Sequence, residues 1–393
     1  MKLAFVSWNA RHGYRHFSRY AHEEFAKNVS RYCLVSADFT VHPQSSTRHT
    51  TPPSGYALRM IHQVTRRIAR VFHRADLVRR VHESLFDLFA LSVIDLPDIV
   101  YFDKPYFVNT LAMLRGKGST TIAYQPMPHY NLLEKVVRRE EERFGIRSFY
   151  KFDTRADNRY KGLAVVDHII AHSQIVQASD EMYGIDPSKI QIDYGCVDAN
   201  YYRPGKHNHD PSQFVVMYVG NDDIVKGLPY LLDAWEHIQI SGITLQIIGR
   251  TTANTRERYM LYDNIVFLGI LGSDKVRSLY QAADVLVVPS VIDAGPKAAL
   301  EAMACGCPVI ISNMAGYSEI IDDGYDGIVI PARDSDAIAC SIQRLYSSRD
   351  LCYAMGTRAR QKAKSLSGRL HAKSIYKYIM EVYSMKAKEP QKV

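Results

Sequence analysis

Short apolar runs alternate with amphipathic stretches along both halves of the chain. The apolar runs are hydrophobic at consecutive positions, as in strands that helices cover on both faces. The stretches between them have helical periodicity, which predicts helices over 228–237, 274–282 and 336–346. This alternation predicts an α/β fold with doubly wound parallel sheets. The predicted strands are Lys2–Ser7, Asp98–Phe102, Thr120–Tyr124, His168–His172 and Lys189–Asp193 in the first half, and Phe214–Gly220, Thr244–Gly249, Asn264–Gly269, Val285–Pro289, Pro308–Ser312 and Gly327–Ile330 in the second.

A polar segment, Tyr201–Gln213, separates the two sets of strands and holds two prolines and a glycine. At 393 residues the chain is too long for one ordinary core. We therefore predict an N-terminal domain over 1–203, a C-terminal domain over 204–370, and a C-terminal helix and tail over 371–393 that pack back on the N-terminal domain. Because ligands bind at the carboxyl ends of parallel strands, the two domains predict a site in the cleft between them.

Composition excludes several classes of protein. Apolar residues make up 47% of the chain and charged residues 23%, as in soluble globular proteins, and no apolar run reaches the length of a membrane span. The N-terminal apolar run is too short for the core of a signal peptide. The six cysteines lack the spacing of metal ligands, so we expect structural thiols in a reduced, cytoplasmic setting.

The net charge of +8 is concentrated in one segment. Between Arg59 and Arg80 there are seven arginines against one acid, with apolar residues at helical spacing between them. This pattern predicts a basic amphipathic helix, which can lie on an anionic membrane surface. A helix with a solvated basic face is the alternative. No nucleic-acid-binding module accompanies the charge, so we do not expect a nucleic-acid partner.

The clearest chemical signal lies in 284–312, which predicts a buried strand, a polar loop, a short helix and a second buried strand. Asp293 and Glu301 lie eight positions apart across the loop and the start of the helix. Carboxylates accept hydrogen bonds from sugar hydroxyls, and a helix N-terminus can hold an anion. Together these groups suit a molecule with hydroxyls at both ends and phosphates between them, such as a nucleotide sugar.

This segment resembles the retaining glycosyltransferases of family 4, which have the GT-B fold. The resemblance lies in an acid eight positions before Glu301 and in the run Glu-Ala-Met-Ala-Cys-Gly-Cys-Pro-Val over 301–309. The first acid of the family is usually Glu and here is Asp293. Residues 168–204 are similar to the linker region of the family. The resemblance implies two Rossmann-like doubly wound domains that face a central cleft.

The resemblance also implies roles for individual residues. Lys226, in the loop after a predicted strand, would hold the phosphates of the donor, and Asp293 and Glu301 would contact its sugar and its ribose. Asn221 occupies the position of a second cation in the family, so Arg250 and Lys297 are candidates to supply charge. His129 would lie beside the donor sugar. The remaining predicted contacts are Gly13, Gly220, Gly295, Pro296 and Ala298.

Asp222 and Asp223 form an acidic pair, which we interpret as a solvated loop end rather than a metal site. The resemblance implies no cofactor and no bound metal, since the nucleotide sugar, such as a UDP- or GDP-sugar, is a substrate. His172 ends a predicted strand, and a buried structural histidine is as consistent with that position as a functional one.

The predicted function is that of a retaining hexosyltransferase that moves a sugar from a nucleotide-diphospho sugar to a hydroxyl acceptor. The basic segment Arg59–Arg80 favours an acceptor on a membrane-associated glycan or glycolipid precursor, with the protein cytoplasmic and peripheral on the inner face of a membrane. Three alternatives remain open: a transferase for a small soluble acceptor, a nucleotide-sugar epimerase of GT-B fold, and a non-catalytic protein that binds nucleotide sugars.

Overall fold

The computed structural model describes residues 1–7, 24, 25, 28, 29, 31–36, 40–43, 60, 63, 81, 84–90, 92, 94, 96–103, 108–150, 152, 161–205 and 212–388. Two α/β domains, each built on its own sheet, account for these residues. This confirms the predicted fold class.

The sheet of the N-terminal domain has seven strands among the described residues, in the order β3-β2-β1-β4-β5-β6-β7. Six are parallel, and β3 pairs with β2 in the antiparallel sense at one edge. The prediction missed β2 and β3, whose sequences mix polar and apolar residues in short runs. The strands are β1 (Lys2–Ser7), β2 (Arg31–Ser36), β3 (Thr40–Pro43), β4 (Ile99–Phe102), β5 (Thr120–Gln125), β6 (His168–Ala171) and β7 (Ile190–Ile192).

The sheet of the C-terminal domain has six strands, all parallel, in the order β10-β9-β8-β11-β12-β13 within the described chain. All six were predicted to within one residue at each end. The strong apolar runs explain this success, since most of these side chains are buried. The strands are β8 (Phe214–Val219), β9 (Ile243–Ile248), β10 (Ile265–Gly269), β11 (Val285–Val288), β12 (Val309–Ser312) and β13 (Ile328–Ile330).

Helices connect the parallel strands and cover the sheets. In the part of the chain that the structure describes, no helix is both long enough and apolar enough to cross a membrane. The bounded helices are α1 (Val108–Arg115), α2 (Tyr130–Phe144), α3 (Gln174–Met182), α4 (Leu228–Glu236), α5 (Ala253–Tyr259), α6 (Ser273–Ala282), α7 (Lys297–Cys305), α8 (Ser335–Ser347), α9 (Arg349–Ser365) and α10 (Gly368–Lys388), with short 3-10 helices at Pro187–Lys189 and Gly316–Ile320.

Helix α10 follows the C-terminal domain in sequence but packs on the N-terminal domain. One face of the helix, which includes Ile375 and Ile379, joins a cluster with Leu3 and Phe5 of strand β1. The ammonium group of Lys386 donates a hydrogen bond of 3.3 Å to the backbone oxygen of Asp98 at the start of β4. The last helix therefore ties the two domains together.

Helix α2 makes a second connection in the opposite direction. It belongs to the N-terminal domain, yet Leu133 and Val137 pack in the core of the C-terminal domain. Its buried Glu140 accepts a hydrogen bond of 2.6 Å from the hydroxyl of Tyr230. The same carboxylate forms an ion pair with Arg333, whose Nε lies 2.6 Å away. A buried carboxylate needs such partners, so these contacts fix α2 against the C-terminal domain.

Candidate functional site

The carboxyl ends of strands β8 and β9 approach each other so closely that glycine is required there. Gly249 has φ +117°, and a Cβ at this position would lie 1.7 Å from the backbone oxygen of Gly220. The amide of Gly220 in turn donates to the backbone oxygen of Ile248, at 2.9 Å. No side chain can separate these two loops, so the residues that follow them, Asn221 and Arg250, are neighbours.

Lys226 and Asp293 form an ion pair in this region, although they come from different loops. Burial would lower the pKa of Lys226, but the charge and hydrogen bond of Asp293, with smaller effects from Tyr150 and Asp222, outweigh it together, and the net pKa is raised. Gly227 (φ +70°) brings the lysine loop against the chain after β11, because a Cβ there would lie 1.9 Å from the backbone oxygen of Pro289. The structure thus brings together the predicted phosphate-binding cation and the predicted sugar-binding acid.

The loop from Asp293 to helix α7 has the form expected of an anion-binding turn. Oδ1 of Asp293 accepts a hydrogen bond of 3.2 Å from the amide of Gly295. Pro296 is the N-cap of α7, which begins at Lys297, and the proline side chain makes no capping hydrogen bond. Amide groups of the first turn, including that of Ala298, are therefore donors that an anion can use.

Glu301 is nearly buried on helix α7 and is held by two tyrosines. The hydroxyl of Tyr280 donates to Oε2 of Glu301 at 3.2 Å, and Tyr202 also hydrogen-bonds this carboxyl group. Burial raises the pKa of Glu301, and the two hydroxyls and Lys297 oppose the rise. Burial also lowers the pKa of Lys297, while Glu301 opposes that change. The carboxylate is therefore preorganised, with little freedom to turn away from a ligand.

Asn221 and Arg250 lie together, but not as two groups aimed at one phosphate. The backbone amide of Arg250 donates to Oδ1 of Asn221 at 3.3 Å. The guanidinium of Arg250 lies over the ring of Phe149, 3.7 Å from its centroid. A cavity of about 460 Å³ borders this contact between the domains and is lined by 145–149 and 250–254. The cation is thus partly engaged by the N-terminal domain.

The acidic pair is a correction to the sequence analysis, because Asp222 and Asp223 are 5% and 1% exposed rather than solvated. Oδ2 of Asp222 accepts hydrogen bonds of 2.6 Å from both the hydroxyl of Ser148 and the amide of Phe149. Asp223 accepts from the amide of Thr252 at 2.9 Å. The pair binds loops of both domains, which a pattern of two acids in one loop cannot reveal.

His129 is the N-cap of helix α2 in the N-terminal domain. Its ring stacks on Tyr183 with a centroid distance of 4.0 Å, and its backbone amide donates to the hydroxyl of Ser179 at 2.8 Å. Burial lowers the pKa of His129 to about 4, so the imidazole is neutral near pH 7. At 4% exposure the neutral ring is buried in the described structure and supplies no positive charge.

His172 is a buried residue whose importance the sequence left open. Its Nε2 lies 2.9 Å from the hydroxyl of Tyr317, and its Nδ1 contacts the hydroxyl of Tyr124. A Cβ on Gly295 would lie 2.4 Å from Nε2, so the loop between Asp293 and α7 packs directly on this ring. The sequence signal was its position between a strand and the helix-capping Ser173, which marks the carboxyl edge of the sheet.

Two predicted features, Gly13 and the basic segment Arg59–Arg80, lie outside the described residues except for isolated positions in the latter. Among the residues that the structure does describe, no group of three or more His, Cys, Asp or Glu side chains could hold a metal ion.

Residues 203–362 match the family model of glycosyl transferases group 1. The C-terminal domain belongs to this family. The matched residues include Lys226, Asp293, the loop at Gly295 and Glu301, so the family match covers most of the predicted donor-binding residues.

Curated relatives support the same assignment. The chain is 31% identical over 170 residues to an uncharacterized glycosyltransferase, MJ1607, of Methanocaldococcus jannaschii, covering 42% of this chain and 43% of the relative. It is 27% identical over 213 residues to a D-inositol 3-phosphate glycosyltransferase of Segniliparus rotundus, covering 49% and 47%. The chain thus spans about half the length of the curated relatives it matches.

Solved structures extend the similarity to the whole fold. A structure of Anabaena HepE in complex with UDP and glucose superposes with a TM-score of 0.65 at 14% identity, over 97% of this chain and all of that one. Sucrose-phosphate synthase from Thermosynechococcus elongatus superposes with a TM-score of 0.69 at 16% identity, over 98% of this chain and all of that one. The two domains together therefore have the GT-B fold.

Proposed function

We propose that this protein is a retaining glycosyltransferase that moves a sugar from a nucleotide-diphospho sugar to a hydroxyl acceptor. The observation that carries the proposal is the contact between Lys226 and Asp293 at the strand ends of a group 1 domain, in the loop that leads to the N-terminus of helix α7. Few ligands need one cation, exposed helix amides and two acids within a single site. A diphosphate that links a ribose to a second sugar needs all of them.

The donor would lie with its diphosphate near Lys226 and the first turn of α7, and with its ribose on Glu301. Asp293 would accept hydrogen bonds from the transferred sugar, in exchange for part of its contact with Lys226. These charge-assisted hydrogen bonds are stronger than neutral ones, and the groups are held in place before the donor arrives. The HepE structure is described as a complex with UDP and glucose, which supports a nucleotide-diphospho sugar as the donor.

Retention of configuration needs no nucleophile from the protein. The acceptor oxygen forms a bond to the anomeric carbon on the face from which the diphosphate leaves, and the bond between that carbon and the phosphate oxygen breaks. The departing diphosphate takes the acceptor proton. Lys226 stabilises the charge that develops on the leaving group, and the protein contributes mainly orientation and electrostatic stabilisation. No cofactor and no metal ion enter this scheme.

Release of nucleoside diphosphate in the absence of acceptor tests the donor half of the proposal. The purified protein is incubated with UDP- and GDP-sugars, and both the diphosphate and the free sugar are measured. We expect slow release with one donor, and loss of release in Lys226→Ala. A new sugar nucleotide without release would instead identify an epimerase. Tight donor binding with neither product, even with acceptor extracts present, would identify a binding protein.

We further propose that the acceptor is a membrane-associated glycan or glycolipid precursor, and that the protein acts at the inner face of a membrane. The seven arginines between Arg59 and Arg80 support this, because such a segment is attracted to anionic lipids. Co-sedimentation with vesicles of phosphatidylglycerol and phosphatidylcholine at low salt is the test. Failure to sediment with the anionic vesicles removes the membrane part of the proposal and leaves the donor chemistry intact.

A small soluble acceptor is the second candidate. It is favoured by the names of several relatives, which are D-inositol 3-phosphate glycosyltransferases. The same release assay distinguishes the two, since a true acceptor accelerates release and appears as a glycosylated product. Acceleration by inositol phosphate but not by lipid extracts would select the soluble acceptor.

A further inference from the structure

The C-terminal domain caps a helix of the N-terminal domain with a single carboxylate. Glu319 lies in the 3-10 helix Gly316–Ile320, and its side chain reaches the start of α3 in the other domain. Its two oxygens accept hydrogen bonds of 2.8 Å from the amide of Gln174 and 3.0 Å from the amide of Ile175. A negative charge at a helix N-terminus is favourable, so this contact stabilises the docked arrangement of the two domains.

The segment that carries Glu319 is bonded directly to Asp293. The amide of Asp293 donates to the backbone oxygen of Met314, and the amide of Gly316 donates to the backbone oxygen of Asp293, each at 2.9 Å. A Cβ on Gly316 would lie 1.9 Å from the backbone oxygen of Ala294 and 2.5 Å from the hydroxyl of Ser173. Three segments therefore pack with no space between them: the loop from Asp293 to α7 (the donor loop), residues 314–320 with Glu319, and the start of α3.

His172 fills the other side of the same contact. Tyr317, two residues before Glu319, bonds its imidazole, and a Cβ on Gly195 would lie 2.5 Å from both the ring and the Tyr317 hydroxyl. Burial lowers the pKa of His172 to about 3, with smaller effects from His371 and Lys297. The ring is therefore neutral and acts as a fixed spacer between β6 and the donor loop.

The C-terminal end of α3 contacts His129, the candidate site residue of the N-terminal domain. Ser179 accepts the hydrogen bond from the amide of His129, and Tyr183, which follows the helix, stacks on the His129 ring. One helix of nine residues thus contacts the segment bonded to Asp293 at its start and His129 near its end. Any shift of α3 relative to the C-terminal domain changes the separation of these two groups.

We propose that Glu319 is a positioning residue, which sets Asp293 and His129 in register by capping α3 from the opposite domain. This inference rests on the proposed function for its catalytic consequence. Glu319 itself does not touch the donor. Its loss leaves Lys226 and Glu301 in place, so the nucleotide part of the donor still binds, while the sugar and the acceptor side are no longer held together.

The experiment compares wild type with Glu319→Ala and Glu319→Gln. In Glu319→Ala we expect kcat for sugar transfer or donor release to fall about tenfold, as for a misplaced reacting group, with the affinity for nucleoside diphosphate changed by less than about twofold. Glu319→Gln keeps one acceptor oxygen and the side-chain volume, so its loss of kcat is smaller. A loss of kcat that is larger in Glu319→Ala than in Glu319→Gln, at unchanged diphosphate affinity, indicates positioning. A general loss of folded protein would instead lower the number of diphosphate-binding sites and the rate of turnover by the same factor.

Hydrogen exchange of the free protein provides a readout that does not depend on activity. We expect Glu319→Ala to exchange faster at Gln174 and Ile175 and across 293–316. The control is Asp186→Ala, which removes a carboxylate that caps the 3-10 helix Pro187–Lys189 within one domain, at 2.9 Å from the amide of Ser188. That variant should leave kcat and the exchange of 293–316 unchanged.

The outcomes are distinct for the two proposals. If wild type turns over no donor, the proposed function fails, and exchange alone decides whether Glu319 fixes the loop of Asp293. If Glu319→Ala keeps the wild-type exchange across 293–316, or keeps the kcat of an active wild type, Glu319 is a surface cap and the inference is overturned.

Discussion

The two domains hold their parts of the candidate site in different ways. The C-terminal domain places Lys226 in the loop after β8 and Glu301 on helix α7, and side chains of the same domain contact both, Asp293 for Lys226 and Tyr280 for Glu301. The N-terminal domain places His129 and His172 through a helix and two tyrosines, and it depends on Tyr317 and the cap on α3 from the other domain. One half is self-contained, whereas the other is set by the contact between domains.

This difference separates binding from reaction. Groups fixed within one domain can bind the nucleotide part of a donor in any arrangement of the two domains. Groups fixed across the interface can act on the transferred sugar only when the domains are docked. We therefore expect substitutions in the two halves to differ in which step they impair, and the following experiments are ordered by the expected size of the effect.

The largest effect is expected from the self-contained half. Lys226→Ala should lower turnover by about 10²–10³-fold, because one preorganised group that stabilises developing charge is typically worth that much. Steady-state release of nucleoside diphosphate measures it. Lys377→Ala is the matched control, since Lys377 forms an exposed ion pair of 3.8 Å with Glu381 on α10 and should leave turnover unchanged. Equal losses in both variants would contradict the role of Lys226.

The next effect tests the interface. In Gly295→Ala the new methyl group would meet the buried ring of His172, so the loop or the domain contact must move. We expect kcat to fall about tenfold and the free energy of unfolding to fall by about 1–3 kcal/mol, as for overpacking. Activity and urea unfolding measure the two changes.

Gly272→Ala provides the control for that substitution. Gly272 has φ −73°, and a Cβ at this position would have no neighbour within 4 Å. Because Gly272 is the N-cap of α6, its replacement by alanine should lower the free energy of unfolding by no more than about 1 kcal/mol and leave kcat unchanged. If Gly295→Ala behaves like Gly272→Ala, the close packing of the donor loop on His172 has no functional weight.

A smaller effect is expected on the pH dependence of nucleoside diphosphate binding, through Glu301 of the self-contained half. Because burial raises the pKa of Glu301, its carboxylate takes up a proton at a higher pH than usual, and protonation removes a hydrogen-bond acceptor for the ribose. We expect nucleoside diphosphate to bind more weakly as pH falls through this raised pKa. Glu301→Gln should bind weakly with a flatter profile. Calorimetric titration of both proteins across pH isolates the effect, since the phosphates titrate alike in each; parallel profiles would exclude Glu301 as the titrating group.

The smallest effect is on the stability of the N-terminal half. Asp180 of α3 is buried, which raises its pKa to about 7. Between the unfolded pKa near 4 and this value, the folded state binds more protons, so the free energy of unfolding decreases as pH rises. Asp180→Asn should remove this decrease and raise the stability at pH 8 by about 1–3 kcal/mol.

Thermal unfolding at pH 5 and pH 8 measures this, with Asp336→Asn, an exposed carboxylate in the first turn of α8, as the control. A wild-type stability that is equal at both pH values would contradict the assignment.

The sequence was sufficient for most of the C-terminal domain. Its strands are continuous apolar runs, and the segments after them carry Lys226, Asp293 and Glu301, which the resemblance to a known family singled out as site residues. The prediction was less complete for the N-terminal domain, where β2 and β3 lack such runs. It also misread Asp222 and Asp223, because their burial depends on Ser148 and Thr252, which are distant in sequence.

The roles of Glu319 and His172 were inaccessible for the same reason. Glu319 lies 145 and 144 residues from the two amides it caps, and His172 lies 145 residues from Tyr317. Neither pair has a spacing that a helix or a turn would impose. Contacts between domains are set by the relative placement of two sheets, which no local periodicity encodes.

The most direct test is a crystal structure of the protein with the donor that gives nucleoside diphosphate release, determined with Glu301 and Lys226 intact. We predict that the diphosphate lies within hydrogen-bonding distance of the Lys226 ammonium group and the first-turn amides of α7, with the ribose on Glu301 and the transferred sugar on Asp293. A donor bound elsewhere, or with its sugar on Glu301 and its base toward Asp293, would contradict the proposed site.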